Sequence, residues 1–317
     1  VREQRQARSK TAMTHETESL VQEATQHGEA QKEKRLGLIY SLVAVAFFGT
    51  SAVMVLYANP VPPVEKSFWR LIIATLFIFT LLKITHEPLG IKRKSLPRFA
   101  LYGLITAAHF VLYIASLSFT TAAHTLTLVY TSPAFVAIFS AIFLKEHISK
   151  RRWGGVAIAA LGVGILAGFE PKLTPEMLLG DLMALASAVA YGLYSIAGRR
   201  ERNNYSLLSY AFGLYGFAML WMFPAALLSF SLGEGLKLYS WGPALALLGL
   251  GIVPLGLGHT LYNAGLRRLN ATYVNVIATQ EVTLGVFFAW AFYGQVPSIS
   301  SLFGALVTLL GVLVVLI

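Results

Sequence analysis

Residues 113–162 read YIASLSFTTAAHTLTLVYTSPAFVAIFSAIFLKEHISKRRWGGVAIAALG, and residues 262–311 read YNAGLRRLNATYVNVIATQEVTLGVFFAWAFYGQVPSISSLFGALVTLLG. Laid over each other without a gap, at an offset of 149, the two stretches share a pattern. Tyr113, Ala115, Leu117 and Ala122 fall on Tyr262, Ala264, Leu266 and Ala271. Phe143 falls on Phe292, and Gly155, Leu161 and Gly162 fall on Gly304, Leu310 and Gly311. Nearer the start an offset of 143 puts Gly37, Leu42, Ala46 and Gly49 on Gly180, Leu185, Val189 and Gly192, with Phe48 on Tyr191. The chain therefore reads as two copies of one unit, residues 36–169 and 180–317.

Each copy is too apolar for water. Hydrophobic residues make up 56% of the 317 and charged residues 13%, where a soluble domain carries nearly twice that charge. The charges cluster, and the runs between clusters reach the roughly 20 residues that a helix needs to cross a bilayer. Ten runs qualify, at about 36–58, 63–82, 98–117, 122–143, 153–169, 180–198, 207–229, 241–265, 270–292 and 298–317. The fold class is all-α and polytopic, with ten transmembrane helices in two sets of five. An odd number of crossings turns the second set upside down relative to the first. Pro62, Pro63, Pro171, Pro175, Pro243 and Pro297 stand in gaps or at helix starts, where a missing N–H costs nothing.

Lys and Arg orient the bundle. With the N-terminus inside and the helices alternating, 17 cations collect on the cytoplasmic side, in clusters at 32–35, 83–98, 145–152, 199–202 and 267–268. Only Lys66, Lys172 and Lys237 lie outside. One missed helix would scramble this split, so it supports the count as well as the direction. The expected location is a bacterial inner membrane, with both termini cytoplasmic. The net charge of +10 is thus an orientation signal and not a nucleic-acid footprint, for which no basic, aromatic-interleaved stripe exists. Residues 1–35 are polar and read as a disordered cytoplasmic tail, with Met13 the expected start and no signal peptide ahead of the first run.

Together these features resemble the drug/metabolite transporter superfamily, EamA branch, over residues 36–317. The resemblance rests on Pro133-x12-Glu146 in PAFVAIFSAIFLKEHIS, on its twin QEVTLGVFFAWAFYGQVPS at 280–298, and on glycine-rich fifth and tenth helices. The twin departs from the family pattern at Val282, where proline is common, and at Gln295, where glutamate is common. The resemblance implies a carrier of small metabolites, often an exporter of amino acids or related compounds. Inverted repeats independently suit a carrier, with a midplane site between halves that rock against each other.

Polar groups at membrane depth are the candidate site, since each ionisable one costs roughly 2.5–3.5 kcal/mol on insertion scales. Glu281 lies mid-span and suits a substrate ammonium or a coupling proton, with Asn275 and Gln280 nearby. Arg70 suits a carboxylate, which its planar fork matches; it also has Glu65, Glu281 or the headgroups as structural partners. His109 with Tyr113, His259 with Tyr262, and His124 with Tyr130 are expected cavity residues, joined by the aromatics Phe47, Phe48, Tyr191 and Tyr194. Pro133 and Pro254 are expected hinges, and Pro224 a third intrahelical proline. The small-residue faces of the fifth and tenth helices are packing surfaces that also offer a dimer contact, so the oligomeric expectation is monomer or homodimer. With no cysteine, no P-loop, no HExxH and no Ser-x-x-Lys site, no catalytic residue, cofactor or metal is expected. The lone arginine argues against phosphates and for a neutral, zwitterionic or weakly cationic solute. The reading is an amino-acid exporter, with aromatic or other apolar side chains favoured. The alternatives are a multidrug or lipophilic-cation exporter and, from another class, a non-transporting membrane sensor or scaffold.

Overall fold

The fold was analysed in a computed structural model that describes residues 2–116, 118–120, 122–168, 174–232, 240–294 and 296–317. Ten helical spans are present among the described residues. They are α1 (Arg2–Gly49, continued by Ser51–Tyr57), α2 (Pro63–Ile84), α3 (Leu96–Ser116), α4 (Ala122–Val129 and Ser132–Phe139, then a π turn Ser140–Leu144) and α5 (Lys150–Ala167). The second set is α6 (Pro175–Arg200), α7 (Leu207–Leu232), α8 (Trp241–Leu250, a π stretch Gly251–His259, and Thr260–Arg268), α9 (Ala271–Ala278 and Gln280–Tyr293) and α10 (Ile299–Leu316). Among the described residues nine spans are long and apolar enough to cross a membrane without qualification. The tenth, α5, has 18 residues and opens on Lys150, Arg151 and Arg152.

The sequence marks its own helix ends. Pro63 and Pro175 occupy the first turns of α2 and α6, where their missing N–H is an orphan position anyway. Ser149, Thr174, Asn270 and Ser298 each accept a backbone N–H at the start of a helix, replacing a bond the helix cannot supply. α1 runs back to Arg2. The segment is rich in Glu, Gln, Ala, Lys and Arg, with Gly28 its only breaker. Such residues extend a helix at little cost once a membrane span has nucleated it.

The halves pack as the repeat requires. Exchanging α1–α5 for α6–α10 maps the main inter-half contacts onto one another: α1·α8 onto α3·α6, α1·α9 onto α4·α6, and α2·α8 onto α3·α7. The pairs α2·α7, α4·α9 and α5·α10 map onto themselves. A pseudo-twofold axis therefore passes between the halves. The tightest pair is α5·α10, where glycine lets backbones touch. A Cβ on Gly162 would collide with the backbone of Thr308, and one on Gly304 with that of Leu166. These glycines are thus occupied inside one chain, although Gly154 stays open.

Where the cations cluster, ion pairs also join the halves. Arg199 Nε donates to Glu146 Oε1 at 2.9 Å, and Arg98 donates to the fully buried Glu201 at 3.1 Å. Tyr102 and Asn204 donate to the same carboxylate, each at 2.8 Å. Glu146, the signature glutamate, thus anchors α4 to α6. Its twin position, Gln295, lies outside the described residues, as do Lys172 and Lys237, two of the three cations expected outside, and the loop residue Pro171.

Candidate functional site

Two broken helices cross at the centre. In α4 the helix stops at Val129 and restarts at Ser132, and in α9 it stops at Ala278 and restarts at Gln280. The offset of 149 carries one break onto the other, so the repeat includes its interruption. In α4 the restart suits Pro133, which has no N–H to give a continuous helix. The breaks meet. Tyr130 donates from its hydroxyl to Glu281 Oε2 at 2.5 Å, and Ser132 Oγ donates to Asn275 Oδ1 at 2.9 Å. Glu281 stands in the first turn of the restarted helix, where the N-terminal end of the dipole favours an anion.

Around this crossing lies a cavity of about 40 Å³, lined from seven helices. Phe48 and Ser51 come from α1, Arg70 from α2, His109, Phe110 and Tyr113 from α3, and Val129 and Tyr130 from α4. Tyr191 of α6, Pro254 and His259 of α8, and Glu281 of α9 complete the wall. At about 10–15 Å³ per water centre it holds roughly three waters, less than an amino acid needs.

Charge in the cavity is separated. Arg70 is 4% exposed, and its Nε is enclosed with no hydrogen-bond partner. Its guanidinium carbon lies 4.5 Å from the Phe110 ring centroid, a cation–π contact. Among the described residues no ion pair forms between Arg70 and Glu281, although both face the same space. A buried cation normally has a partner, because its desolvation is otherwise uncompensated. Here the open position is the cavity.

The rest of the wall is aromatic and held rigid. His109 stacks on Tyr191 with ring centroids 4.7 Å apart, and its Nδ1 lies 3.1 Å from the Ser187 carbonyl. The Ser187 hydroxyl lies 2.9 Å from the same nitrogen. His259 lies 4.5 Å from Phe48 and 3.3 Å, through Nδ1, from the Tyr194 hydroxyl. Asn263 donates to that hydroxyl at 2.7 Å. Pro254 sits inside the nine-residue π stretch, whose wide turns tolerate the proline, and Gly251 at its start packs against the Ile73 side chain and, less closely, the Arg70 backbone carbonyl.

The expected residues divide into three groups. Glu281, Arg70, His109, Tyr113, Tyr130, His259 and Pro254 are brought together on the cavity wall. Tyr262 and Asn275 lie outside it, bonded to each other at 3.0 Å, with Tyr262 also 2.7 Å from Ser195 Oγ. They tie α4, α6, α8 and α9 together. His124, Gln280 and Pro133 are not on the wall. His124 lies 3.0 Å from Asp181 of α6, which also accepts from Thr120 at 2.8 Å. Gln280 is adjacent to Glu281, and one step along a helix turns a side chain by roughly 100°. Sequence reasoning did not single out Ser51, Phe110 or Val129. A polar residue at a helix break marks Ser51, whereas nothing separates Phe110 from the other 19 phenylalanines.

Known proteins resemble this chain over most of its length. The uncharacterized transporter YdfC of Bacillus subtilis (strain 168) is 27% identical over 87% of each chain. The pseudopaline exporter CntI of Pseudomonas aeruginosa is 25% identical over 84% of this chain and 91% of its own. Mouse solute carrier family 35 member G1 is 23% identical over 88% and 79%. A crystal structure at 19% identity superposes with a TM-score of 0.75, over 88% of this chain and 95% of the other, and shows the same fold. The model of the EamA-like transporter family matches twice, over residues 35–168 and 178–317, once per repeat. The chain belongs to the EamA-like transporter family.

Proposed function

We propose that this multi-pass membrane transporter is a secondary carrier of small zwitterionic metabolites, an amino-acid exporter that works by alternating access. One observation carries the reading: the guanidinium of Arg70, whose Nε has no hydrogen-bond partner, and the carboxylate of Glu281 face one aromatic-walled cavity without pairing. A substrate carboxylate on Arg70 and a substrate ammonium on Glu281 would satisfy both. Phe48, Phe110 and Tyr191 offer the side chain an apolar, planar wall, which favours aromatic or other apolar amino acids. A lipophilic cation would use Glu281 and leave Arg70 uncompensated, so the zwitterion fits better. The pairwise exchange of contacts between halves suits rocking about the pseudo-twofold axis, with the cavity widening toward one side at a time. Pro254 in its π stretch and the break at Pro133 supply the bends. With the cation-rich end inside, both termini are cytoplasmic in an inner membrane.

The test is flux in proteoliposomes with and without a pH gradient, on wild type and on Glu281→Gln. If Glu281 carries the coupling proton, an imposed gradient accelerates wild-type flux severalfold and leaves the variant unchanged. Equal responses would remove Glu281 from coupling and leave it as an ammonium site, where the variant raises KM at least ~10-fold. No flux for any of a broad metabolite panel would favour a sensor or scaffold instead.

A further inference from the structure

We propose that Tyr130 is the residue through which an occupied Glu281 releases the two halves to rock. The inference rests on the zwitterion reading, in which Glu281 takes the substrate ammonium, and adds what that contact does to the protein. Tyr130 stands at the break of α4 in the first half, and Glu281 at the break of α9 in the second. Their hydrogen bond therefore joins the halves. Of the described hydrogen bonds between the halves, it is the one whose acceptor is a charged group on the cavity wall. The Tyr130 ring packs with Val163 and Leu166 of α5 and Val282 of α9, which holds the hydroxyl in place. The two carboxylate oxygens of Glu281 are divided. Oε2 accepts from Tyr130, whereas Oε1 makes no hydrogen bond among the described residues. Arg70 faces the same cavity and forms no ion pair there. A hydrogen bond to a free carboxylate is roughly twice as strong as one between neutral groups. An ammonium arriving at Oε1 draws on the same negative charge and weakens the bond at Oε2. The empty carrier is thus held at its centre, and the loaded one is loosened.

The repeat bears on what becomes of the bond. The offset of 149 carries Tyr130 onto Thr279 and Glu281 onto Ser132. That twin pair is not bonded: Thr279 Oγ1 donates to the Val276 carbonyl at 2.7 Å, and Ser132 Oγ donates to Asn275 Oδ1 at 2.9 Å. Inverted halves reach the opposite-facing state by trading arrangements. Tyr130 and Glu281 then take the unbonded arrangement of their twins, so the bond breaks each time the carrier turns over.

The experiment follows rocking in the full chain, in nanodiscs, by single-molecule fluorescence. The sequence has no cysteine, so Lys150→Cys on α5 and Asn203→Cys just after α6 carry the only two dyes. Both positions are exposed at the cation-rich end, one on each half. Without substrate, Tyr130→Phe is expected to leave the bonded state about 10-fold faster than the parent, since it removes a hydrogen bond to a charged group. Glu281→Gln keeps an acceptor without the charge and is expected to speed that step severalfold. The double variant is expected to match Tyr130→Phe, because both changes act on one bond. Looser packing at Tyr130 would instead multiply with the effect at Glu281. Equal rates for the parent and Tyr130→Phe, or a double variant whose acceleration is the product of the two singles, overturn the proposal. Phenylalanine, added as the probe, is expected to speed the parent and leave Tyr130→Phe unchanged; equal acceleration of both also overturns it. If phenylalanine speeds neither while both substitutions still act, the role of the bond stands and the amino-acid reading falls.

Discussion

Arg70→Met is expected to lower transport by about 100-fold or more while leaving the protein as stable as wild type, or more so. The two effects have one origin. Arg70 is buried and stacked on Phe110, and among the described residues it forms no ion pair. Its charge therefore destabilises the empty protein, and methionine fills similar space without that cost. For a bound carboxylate the same substitution leaves an anion in an apolar wall with no counter-charge. Losing one member of a buried charge pair costs about 2–5 kcal/mol, or roughly 30- to several thousand-fold in binding. Arg70→Lys is expected to recover little, since an ammonium neither grips both carboxylate oxygens nor lies flat on a ring. Uptake into proteoliposomes and thermal unfolding of the same preparations read both quantities. Full transport by Arg70→Met would make the arginine a structural residue.

Gly304→Leu is expected to have the opposite profile, with loss of the fold rather than of the site. Gly304 on α10 lies against the Leu166 backbone of α5, and Gly162 lies against Thr308 in return. Backbone cannot withdraw as a side-chain tip can, so the helices must separate along the most extensive contact between the halves. Overpacking of this kind costs about 3 kcal/mol or more, a fall in Tm of about 5 °C or more at this size. Gly304→Ala should lie between the two. The readouts are the monodisperse fraction after detergent extraction and the melting temperature. A wild-type Tm for Gly304→Leu would mean that α5 and α10 do not pack this way in the membrane.

The ten helices, their inversion and the repeat are legible in the sequence because each depends on a quantity that runs along the chain. Hydrocarbon thickness sets run length, and the lysines and arginines mark alternate gaps. The site is legible in part for the same reason. Arg70, Glu281, His109 and His259 stand out as costly groups at membrane depth, and all four reach one cavity. What stays hidden is rotation about each helix axis. His124 has the depth and chemistry of a cavity residue, yet its face turns to Asp181, which lies near the start of α6. Gln280 and Glu281 are neighbours in sequence and point different ways. Asn275 and Tyr262 have the right polarity but serve to hold α9 to α8. The break in α9 is the other hidden feature. Proline announces the break in α4, whereas in α9 Val282 stands near the restart and only the repeat carries the interruption across.

Counterflow of a matched trio tests the central claim most directly. The trio is an aromatic amino acid, the amine left by removing its carboxylate, and the acid left by removing its ammonium. If Arg70 and Glu281 bind the two ends of one substrate, only the zwitterion exchanges, and each truncated partner exchanges at least ~10-fold more slowly. Exchange of the amine alone, as fast as the amino acid, would contradict the account and make Arg70 a bystander.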